Sequence, residues 1–252
     1  MADDLGPLLN RWAFDPEHTV RMIRGRDGRR KVQVRLPLGI EQYDLDGRPD
    51  AARPYGCTSV LAHWERRLRA YVRRHGSDAG FTLPPAVCSR LRDESLLYYY
   101  RYVLLFQVGE YGRSARDTAR NLRCLDLVGR YATLRQDRDS MELYRPYIVR
   151  MHRASRALVA LRRRQYDIAL GEIDAGLEAI EGLPPREWSA YRFERKRSLE
   201  FLRRLKREVR RRRPLSVRQR LQRDLLRAVK AEDYERAARL RDLLSAMGKP
   251  GP

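Results

Sequence analysis

The stretch 214–247 places the tightest constraint on the fold, because two apolar helical faces meet there across one short polar break. The first face comprises Leu221, Leu225 and the adjacent pair Ala228 and Val229, at steps of four and three residues. The second face comprises Tyr234, Ala237, Leu240, Leu244 and Met247. Asp233, in the break, is predicted to cap the second helix, and Glu235 complements its dipole.

Two short amphipathic helices with such a tight connection predict a helical hairpin. Ala237 and Ala238 carry small side chains, so the two helices can approach closely. The single apolar side is too small to be buried by the hairpin alone. We therefore expect the hairpin to seek a partner.

The residues of this hairpin are similar to the UVR motif, over about thirty-five of the 252 residues. The similarity rests on Leu221, Leu225, Ala228-Val229, Glu232-Asp233-Tyr234-Glu235, Ala237-Ala238, Leu240-Arg241-Asp242 and Leu244. The UVR motif occurs in excinuclease subunits B and C, in the activator of a bacterial protein-arginine kinase and in some Clp ATPases. The resemblance implies a non-catalytic antiparallel hairpin that binds another UVR hairpin or a regulatory protein. It implies these partner-binding residues: Leu221, Leu225, Val229, Tyr234, Ala237, Ala238, Leu240, Arg241 and Leu244.

The formal net charge of +21 suggests nucleic acid as a second kind of partner. The segment from Arg186 to Lys230 contains eighteen basic residues and five acidic ones. The predicted patch for nucleic acid or an acidic partner comprises Arg203, Arg204, Lys206, Arg207, Arg210, Arg211, Arg212 and Arg213. However, 49 of the 54 basic residues are arginine, a bias that a GC-rich genome also produces. The origin of the charge stays open at this point.

The same basic segment, 186–213, is predicted to be one long helix between Pro184-Pro185 and Pro214, since proline interrupts helices. Its apolar and small residues form a narrow seam at steps of three and four. The seam comprises Trp188, Tyr191, Arg195, Ser198, Leu202, Leu205 and Val209.

Residues 1–50 predict a small antiparallel β-meander packed on helices. Val20 and Met22, then Val32, Val34, Leu36 and Leu38, alternate with polar residues, which is the period of a half-buried strand. Gly25-Arg26-Asp27-Gly28 lies between the two runs and predicts a hairpin turn. A third extended piece, 40–45, ends in a second turn.

Residues 51–185 predict a helical core that resembles tetratricopeptide-type helical pairs. Tyr111 follows one junction and is three residues before Ser114; Tyr166 follows another and is three residues before Ala169. Arg164 stands where glycine is usual. The two tyrosines are 55 residues apart, so we expect a degenerate repeat rather than a tandem array. Such repeats imply a protein-binding surface.

Together these features predict a mainly α-helical fold with a small N-terminal β-meander, a helical-repeat-like core, a long basic helix and a C-terminal helical hairpin. We expect no enzyme, cofactor or metal site, since phosphate-binding and nucleophile motifs are missing and the four histidines are scattered. Asp44, Asp46 and Asp50 lack the remaining ligands of a calcium loop and suit a turn. Three unpaired cysteines, no signal sequence and no membrane span predict a cytoplasmic protein.

Two functional hypotheses follow. The first is a bacterial cytosolic adaptor that docks a protein through the hairpin, in excision repair or in Clp or arginine-kinase complexes. Its partner would be a UVR-bearing protein or a second copy of the chain. The second is a nucleic-acid-binding protein that uses the arginine-rich segment 186–230 for contacts with the phosphate backbone.

Overall fold

The computed structural model describes residues 4–215 and 217–246. Within them, one short helix and three strands precede a series of further helices, and the chain divides after Arg207 into two compact units. The predicted mainly α-helical fold, with a small N-terminal sheet and a C-terminal helical hairpin, is confirmed. No helix in these two ranges is both long and apolar enough to cross a membrane.

The elements follow one another in a simple order. The strands are β1 (Val20–Arg24), β2 (Arg30–Leu36) and β3 (Gly39–Asp44). The helices are α1 (Gly6–Arg11), α2 (Val60–His75), α3 (Pro85–Gln107), α4 (Tyr111–Tyr131), α5 (Arg135–Glu142), α6 (Arg145–Arg162), α7 (Tyr166–Glu181), α8 (Ser189–Arg212), α9 (Val217–Lys230) and α10 (Tyr234–Ala246). Helix α1, a single short element before the sheet, was not predicted.

The sheet is antiparallel with the order β1-β2-β3. Val32 at its centre pairs with Met22 on one side and Tyr43 on the other, and it is fully buried. This face packs on Leu104 and Leu105 of α3, which supplies the helical cover that the sequence predicted. The run that was predicted to continue through Leu38 ends earlier, because Leu38 lies in the β2–β3 turn and is 91% exposed.

A buried arginine joins the sheet to the helices. Arg101 of α3 is fully buried and donates from Nε and Nη2 to the carboxylate of Asp117 on α4, at 2.7 and 2.9 Å. Its remaining nitrogen, Nη1, donates to the backbone carbonyl of Asp44 at the end of β3, at 2.7 Å. Charge-assisted bonds of this bidentate kind fix both distance and orientation.

The main apolar core of the first unit lies among α2, α3, α4 and α6, with Leu61, Leu91 and Leu125 at its centre. Ser59 caps α2 by accepting a hydrogen bond from the Ala62 amide at 2.9 Å. The buried carboxylate of Glu94, on α3, accepts two further amides at the same helix terminus. A helix N-terminus leaves such amides without partners, and the carboxylate satisfies them.

Two tight junctions connect helical pairs in the first unit. After α3, Gly109 has a φ of 77° and Glu110 donates its amide to the Leu105 carbonyl. After α6, Arg164 has a φ of 58° and Gln165 donates its amide to the Ala160 carbonyl. Both are helix endings of the Schellman type, with the left-handed residue just after the helix.

Helix α8 packs on α7 through its predicted seam. Tyr191, Ser198 and Leu202 are buried, as the three- and four-residue steps predicted. Arg195 donates to the carbonyls of Ile180 and Glu181, at 3.1 and 2.8 Å. Since these carbonyls lie at the C-terminal end of α7, the guanidinium also complements the negative end of the helix dipole.

Candidate functional site: the C-terminal hairpin and the basic helix

The predicted hairpin is formed by α9 and α10, which contact each other in the second unit. Helix α9 ends in a third Schellman-type junction: Glu232 has a φ of 56°, and Asp233 donates its amide to the Ala228 carbonyl at 3.0 Å. The Asp233 carboxylate then accepts the Arg236 amide at 3.0 Å. The predicted N-cap of α10 is confirmed.

The inward positions of the hairpin are small and apolar. Ala228 and Ala237 are 4% and 8% exposed, which agrees with the prediction that alanines allow close approach. The remaining predicted residues Leu221, Leu225, Ala238, Leu240 and Leu244 are half-buried. Met247, the last residue of the predicted face, lies outside the part of the chain that the structure describes.

Two predicted residues lie elsewhere on the hairpin. Val229 was assigned to the same face as Ala228, and Tyr234 to the same face as Ala237, but they are 50% and 69% exposed. The helical rotation of about 100° per residue turns Val229 away from its neighbour. Tyr234 begins α10 and projects outward from it. Val229 and Tyr234 therefore do not share the buried faces of Ala228 and Ala237, and their predicted role in partner binding stays a prediction.

Sequence periodicity also missed two exposed leucines. Leu226 is 71% exposed and Leu243 is 53% exposed. The sequence did contain a sign of their exposure. Each leucine is the immediate neighbour of a residue on the predicted apolar face, so its side chain must point in another direction. With Val229 and Tyr234 they form the exposed apolar set of the hairpin, defined here as Leu226, Val229, Tyr234 and Leu243.

Charged side chains surround these apolar positions. The basic residues of α9 and α10 are Arg218, Arg220, Arg223, Arg227, Lys230, Arg236, Arg239 and Arg241. The predicted site residue Arg241 lies 3.9 Å from Asp242, and Arg239 lies 3.7 Å from Glu235, all four side chains being exposed. Exposed pairs of this kind contribute little stability, so these charges stay accessible to a partner.

The predicted basic patch of α8 contains both residues with an acidic partner and residues without one in the described ranges. In the first unit, Arg203 pairs with Glu181 at 2.8 Å and Lys206 pairs with Asp174, whereas Arg204 and Arg207 are exposed and form no ion pair within the described residues. Both acidic partners belong to α7. Two of the four basic residues that the patch has in this unit therefore have an acidic partner on α7.

The second unit holds the other half of the predicted patch. Arg212 pairs with Glu208 at 2.5 Å, one helical turn away. Arg210 and Arg211 are exposed and have no acidic partner among the residues that the structure describes. Arg213, next to Pro214, is also exposed and takes part in an interaction of its own.

Two of the three carboxylates at the turn after β3 pair with basic side chains, and the third accepts a backbone amide. Asp44 accepts from Lys31 at 2.7 Å and Asp46 accepts from Arg116 at 2.5 Å. Hydrogen bonds from Arg116 lower the pKa of Asp46. Asp50 accepts the Ala52 amide at 3.1 Å, the geometry of an Asx turn. These contacts account for the three carboxylates by turn and ion-pair chemistry.

Histidine and cysteine often act in catalysis, but His152 and the three cysteines make the contacts of structural residues. Burial lowers the pKa of His152, whose Nδ1 lies 3.0 Å from the Ala115 carbonyl and 3.2 Å from Thr118 Oγ1. All three cysteines are buried and reduced, and burial raises the pKa of the Cys88 thiol to about 11. A protonated, buried thiol is a poor nucleophile.

Comparison with known proteins assigns the hairpin. No curated protein and no solved structure matches the chain at a significant level. Residues 216–249 match the family model described as the UvrB/uvrC motif, which spans α9, the junction at Glu232 and α10. The UVR motif is a protein–protein interaction motif, and it indicates a role in protein interaction or in an excision-repair-related function. The C-terminal hairpin of this chain therefore carries a UVR motif.

Proposed function

We propose that this chain is a non-catalytic adaptor that docks a partner protein through its UVR hairpin. The observation that carries the proposal is the exposed apolar set on a helical pair that matches an interaction motif. Two short helices with four exposed large apolar side chains gain free energy when a partner removes those side chains from water. Leu226 and Val229, one helical turn apart on α9, are the centre of the proposed docking surface.

The partner classes that we propose are a UVR-bearing protein, such as an excinuclease subunit or a Clp or arginine-kinase complex, and a second copy of the chain. The two classes differ in stoichiometry. A second copy gives a symmetric dimer of the purified protein, whereas a different UVR-bearing protein leaves the purified chain monomeric. Light scattering of the purified protein separates them.

The docking proposal predicts that Leu226→Asp combined with Val229→Asp removes a protein partner. Two charges in the centre of an apolar interface cost enough to weaken binding by about a hundredfold or more. The measurement is affinity capture by the tagged full-length chain from native cytosol treated with nuclease, with quantification of each retained protein.

The matched control is Gln222→Asp, an exposed polar position on the same helix. It should retain every protein that the unchanged chain retains, and circular dichroism should show equal helicity in all three proteins. If the double variant retains the same proteins in the same amounts, the exposed apolar set is not the docking surface.

A second candidate function is binding to the nucleic-acid backbone. It is favoured by the four exposed arginines without an ion pair within the described ranges, which are Arg204 and Arg207 in the first unit and Arg210 and Arg211 in the second. Guanidinium groups that are not already neutralised can release counterions from phosphates. Arginine is also suited to bidentate phosphate contacts.

This function predicts a steep salt dependence of binding to a labelled DNA or RNA duplex. Changing the four arginines to serine should reduce the slope of log affinity against log salt by about 3.6 if each contacts one phosphate, since each phosphate contact contributes about 0.9. Arg203→Ser, at a position already paired with Glu181, should change the slope least. A binding curve that does not respond to salt contradicts this candidate.

A further inference from the structure

An aromatic cleft of about 510 Å³ opens on the surface of the first unit. Its side chains come from α3, α4, α5, α6, α8 and the segment between α5 and α6. The largest apolar members are Leu96, Tyr99, Tyr102, Tyr144, Tyr147 and Phe193. A volume of this size is typical of sites that hold a small ligand or one or two side chains of a peptide.

The inner wall of the cleft is built from rings in mutual contact. Tyr99 lies 5.8 Å from Tyr147 and 5.6 Å from Tyr102, measured between ring centroids. Arg150 lies over the Tyr147 ring at 4.6 Å and supports it from behind. Packed rings keep their places when a ligand enters, so little conformational entropy is lost on binding.

Three large apolar side chains at this cleft remain accessible to solvent. Phe193 is 67% exposed, Tyr144 is 53% exposed and Leu96 is 44% exposed. Each comes from a different segment, yet all three line the same cleft. A cluster of exposed aromatic side chains beside a concave wall is typical of the centre of a binding site.

The charges of the cleft are complementary to an anion. Glu194 is the sole carboxylate among the described residues that line it, and it is already engaged by Arg150 at 3.3 Å and by Ser198 Oγ at 2.9 Å. Arg197 lines the cleft, is exposed and forms no ion pair with the part of the chain that the structure describes. Arg92 donates only to a neutral partner, Ser89 Oγ, at 3.3 Å. The uncompensated charge at this site is therefore positive.

We propose that this cleft is a second docking site, which binds a peptide segment of a partner protein with a bulky apolar side chain next to an acidic one. The apolar side chain enters between the tyrosines, and the carboxylate pairs with Arg197 or Arg92. A peptide fits better than a nucleotide, because most of the described lining residues are aromatic or aliphatic and none of them is a glycine of a phosphate-binding loop. This inference goes beyond docking through the UVR hairpin and does not depend on it.

The first test uses anilinonaphthalene sulfonate, a fluorescent aromatic anion, titrated into the folded full-length protein. We expect saturable binding that is weakened about tenfold by Phe193→Ala and by Arg197→Glu. Arg207→Glu, on the same helix but outside the cleft lining, is the matched control and should leave binding unchanged. Circular dichroism checks that each variant is folded. We expect all of them to fold, because the substituted side chains are exposed.

The second test uses end-blocked peptides as competitors of the dye. The peptide Glu-Trp-Leu-Glu should displace it, Gln-Trp-Leu-Gln should require about tenfold more peptide, and Glu-Ala-Ala-Glu should have no effect at the same concentrations. The proposal is overturned if dye binding is not saturable, if Phe193→Ala and Arg197→Glu leave it unchanged, or if the three peptides compete equally. Displacement by a nucleoside triphosphate but by none of the peptides also overturns it.

The hairpin variant separates this inference from the proposed function. Leu226→Asp with Val229→Asp should leave dye binding and peptide competition unchanged. If the hairpin variant still captures the same proteins while the dye and peptide results are as expected, only the hairpin proposal is overturned. If capture is lost but the dye and peptide results contradict the expectation, only the cleft proposal is overturned.

Discussion

Gly176 lies where α7 closely approaches both α6 and α8. A Cβ atom built there would lie 2.9 Å from Arg153 Cβ on α6 and 3.0 Å from Leu202 Cδ1 on α8. The first of these atoms is next to the backbone and moves little. The absence of a side chain at Gly176 therefore sets the distance between three helices.

Gly176→Val is expected to lower the free energy of unfolding by about 2 kcal/mol, because overpacking forces side chains and backbone apart. Gly171→Ala, on the same helix, is the control: a Cβ at Gly171 has no neighbour within 4 Å, and alanine is the better helix former. That change should raise the free energy of unfolding by roughly 0.5 to 1 kcal/mol. Urea denaturation measures both, and equal effects of the two substitutions would show that packing at Gly176 is not tight.

At the scale of the element, the same type of helix–helix junction occurs three times. Gly109, Arg164 and Glu232 each have a positive φ after a helix, and each is followed two residues later by the tyrosine that begins the next helix. The small residues three positions after those tyrosines are Ser114, Ala169 and Ala237, and all three are buried. The UVR hairpin and two helical pairs of the first unit thus share their connecting geometry.

The shared geometry predicts that glycine is the more stable residue at both Gly109 and Arg164. Arg164→Gly should raise the free energy of unfolding by about 1 kcal/mol, since a left-handed conformation costs other residues about that much. Part of the gain is offset by the greater freedom of glycine in the unfolded chain. Gly109→Ala should lower it by a similar amount. Thermal unfolding of both variants is the measurement, and a loss of stability with Arg164→Gly would contradict the role assigned to the junction.

The sequence identified most elements, but not every face within them. The hairpin, the N-cap at Asp233 and the β-meander follow local rules of spacing and turn chemistry, which one sequence displays. The outward orientation of Tyr234 depends on how α9 and α10 pack, so periodicity alone did not predict it. Arg101, fully buried in the structure, looks like any other arginine in a chain with 49 of them. The tetratricopeptide-like character of the core stays a prediction.

At the scale of the whole molecule, the net charge of +21 hides two different uses of arginine. One group is buried and structural, such as Arg101 with Asp117, whose side chains are 0% and 1% exposed. The other group lies on surfaces, with or without a partner. A count of charges from the sequence treats them alike, so it does not show which residues of the α8 patch have an acidic partner on α7.

The buried group predicts a large effect at Asp117. Asp117→Asn leaves the guanidinium of Arg101 buried without a countercharge and should lower the free energy of unfolding by about 3 to 5 kcal/mol. The control is Glu65→Gln, which removes the partially exposed ion pair between Glu65 on α2 and Arg123 on α4, whose charged atoms are 3.1 Å apart. This change should lower the free energy of unfolding by at most about 1 kcal/mol. Denaturant unfolding followed by circular dichroism compares them. Similar losses would mean that burial does not distinguish the two pairs.

The scarcity of lysine has a practical consequence for finding partners. Of the lysines that the structure describes, Lys31 and Lys206 are held by carboxylates, whereas Lys196 and Lys230 are exposed and have no ion pair within the described ranges. Lys196 lies one residue from Arg197 of the aromatic cleft, and Lys230 ends α9 beside the exposed apolar set. An adduct of an amine-reactive cross-linker at Lys196 would indicate a protein captured near the proposed cleft site, whereas an adduct at Lys230 would indicate one captured near the proposed hairpin site.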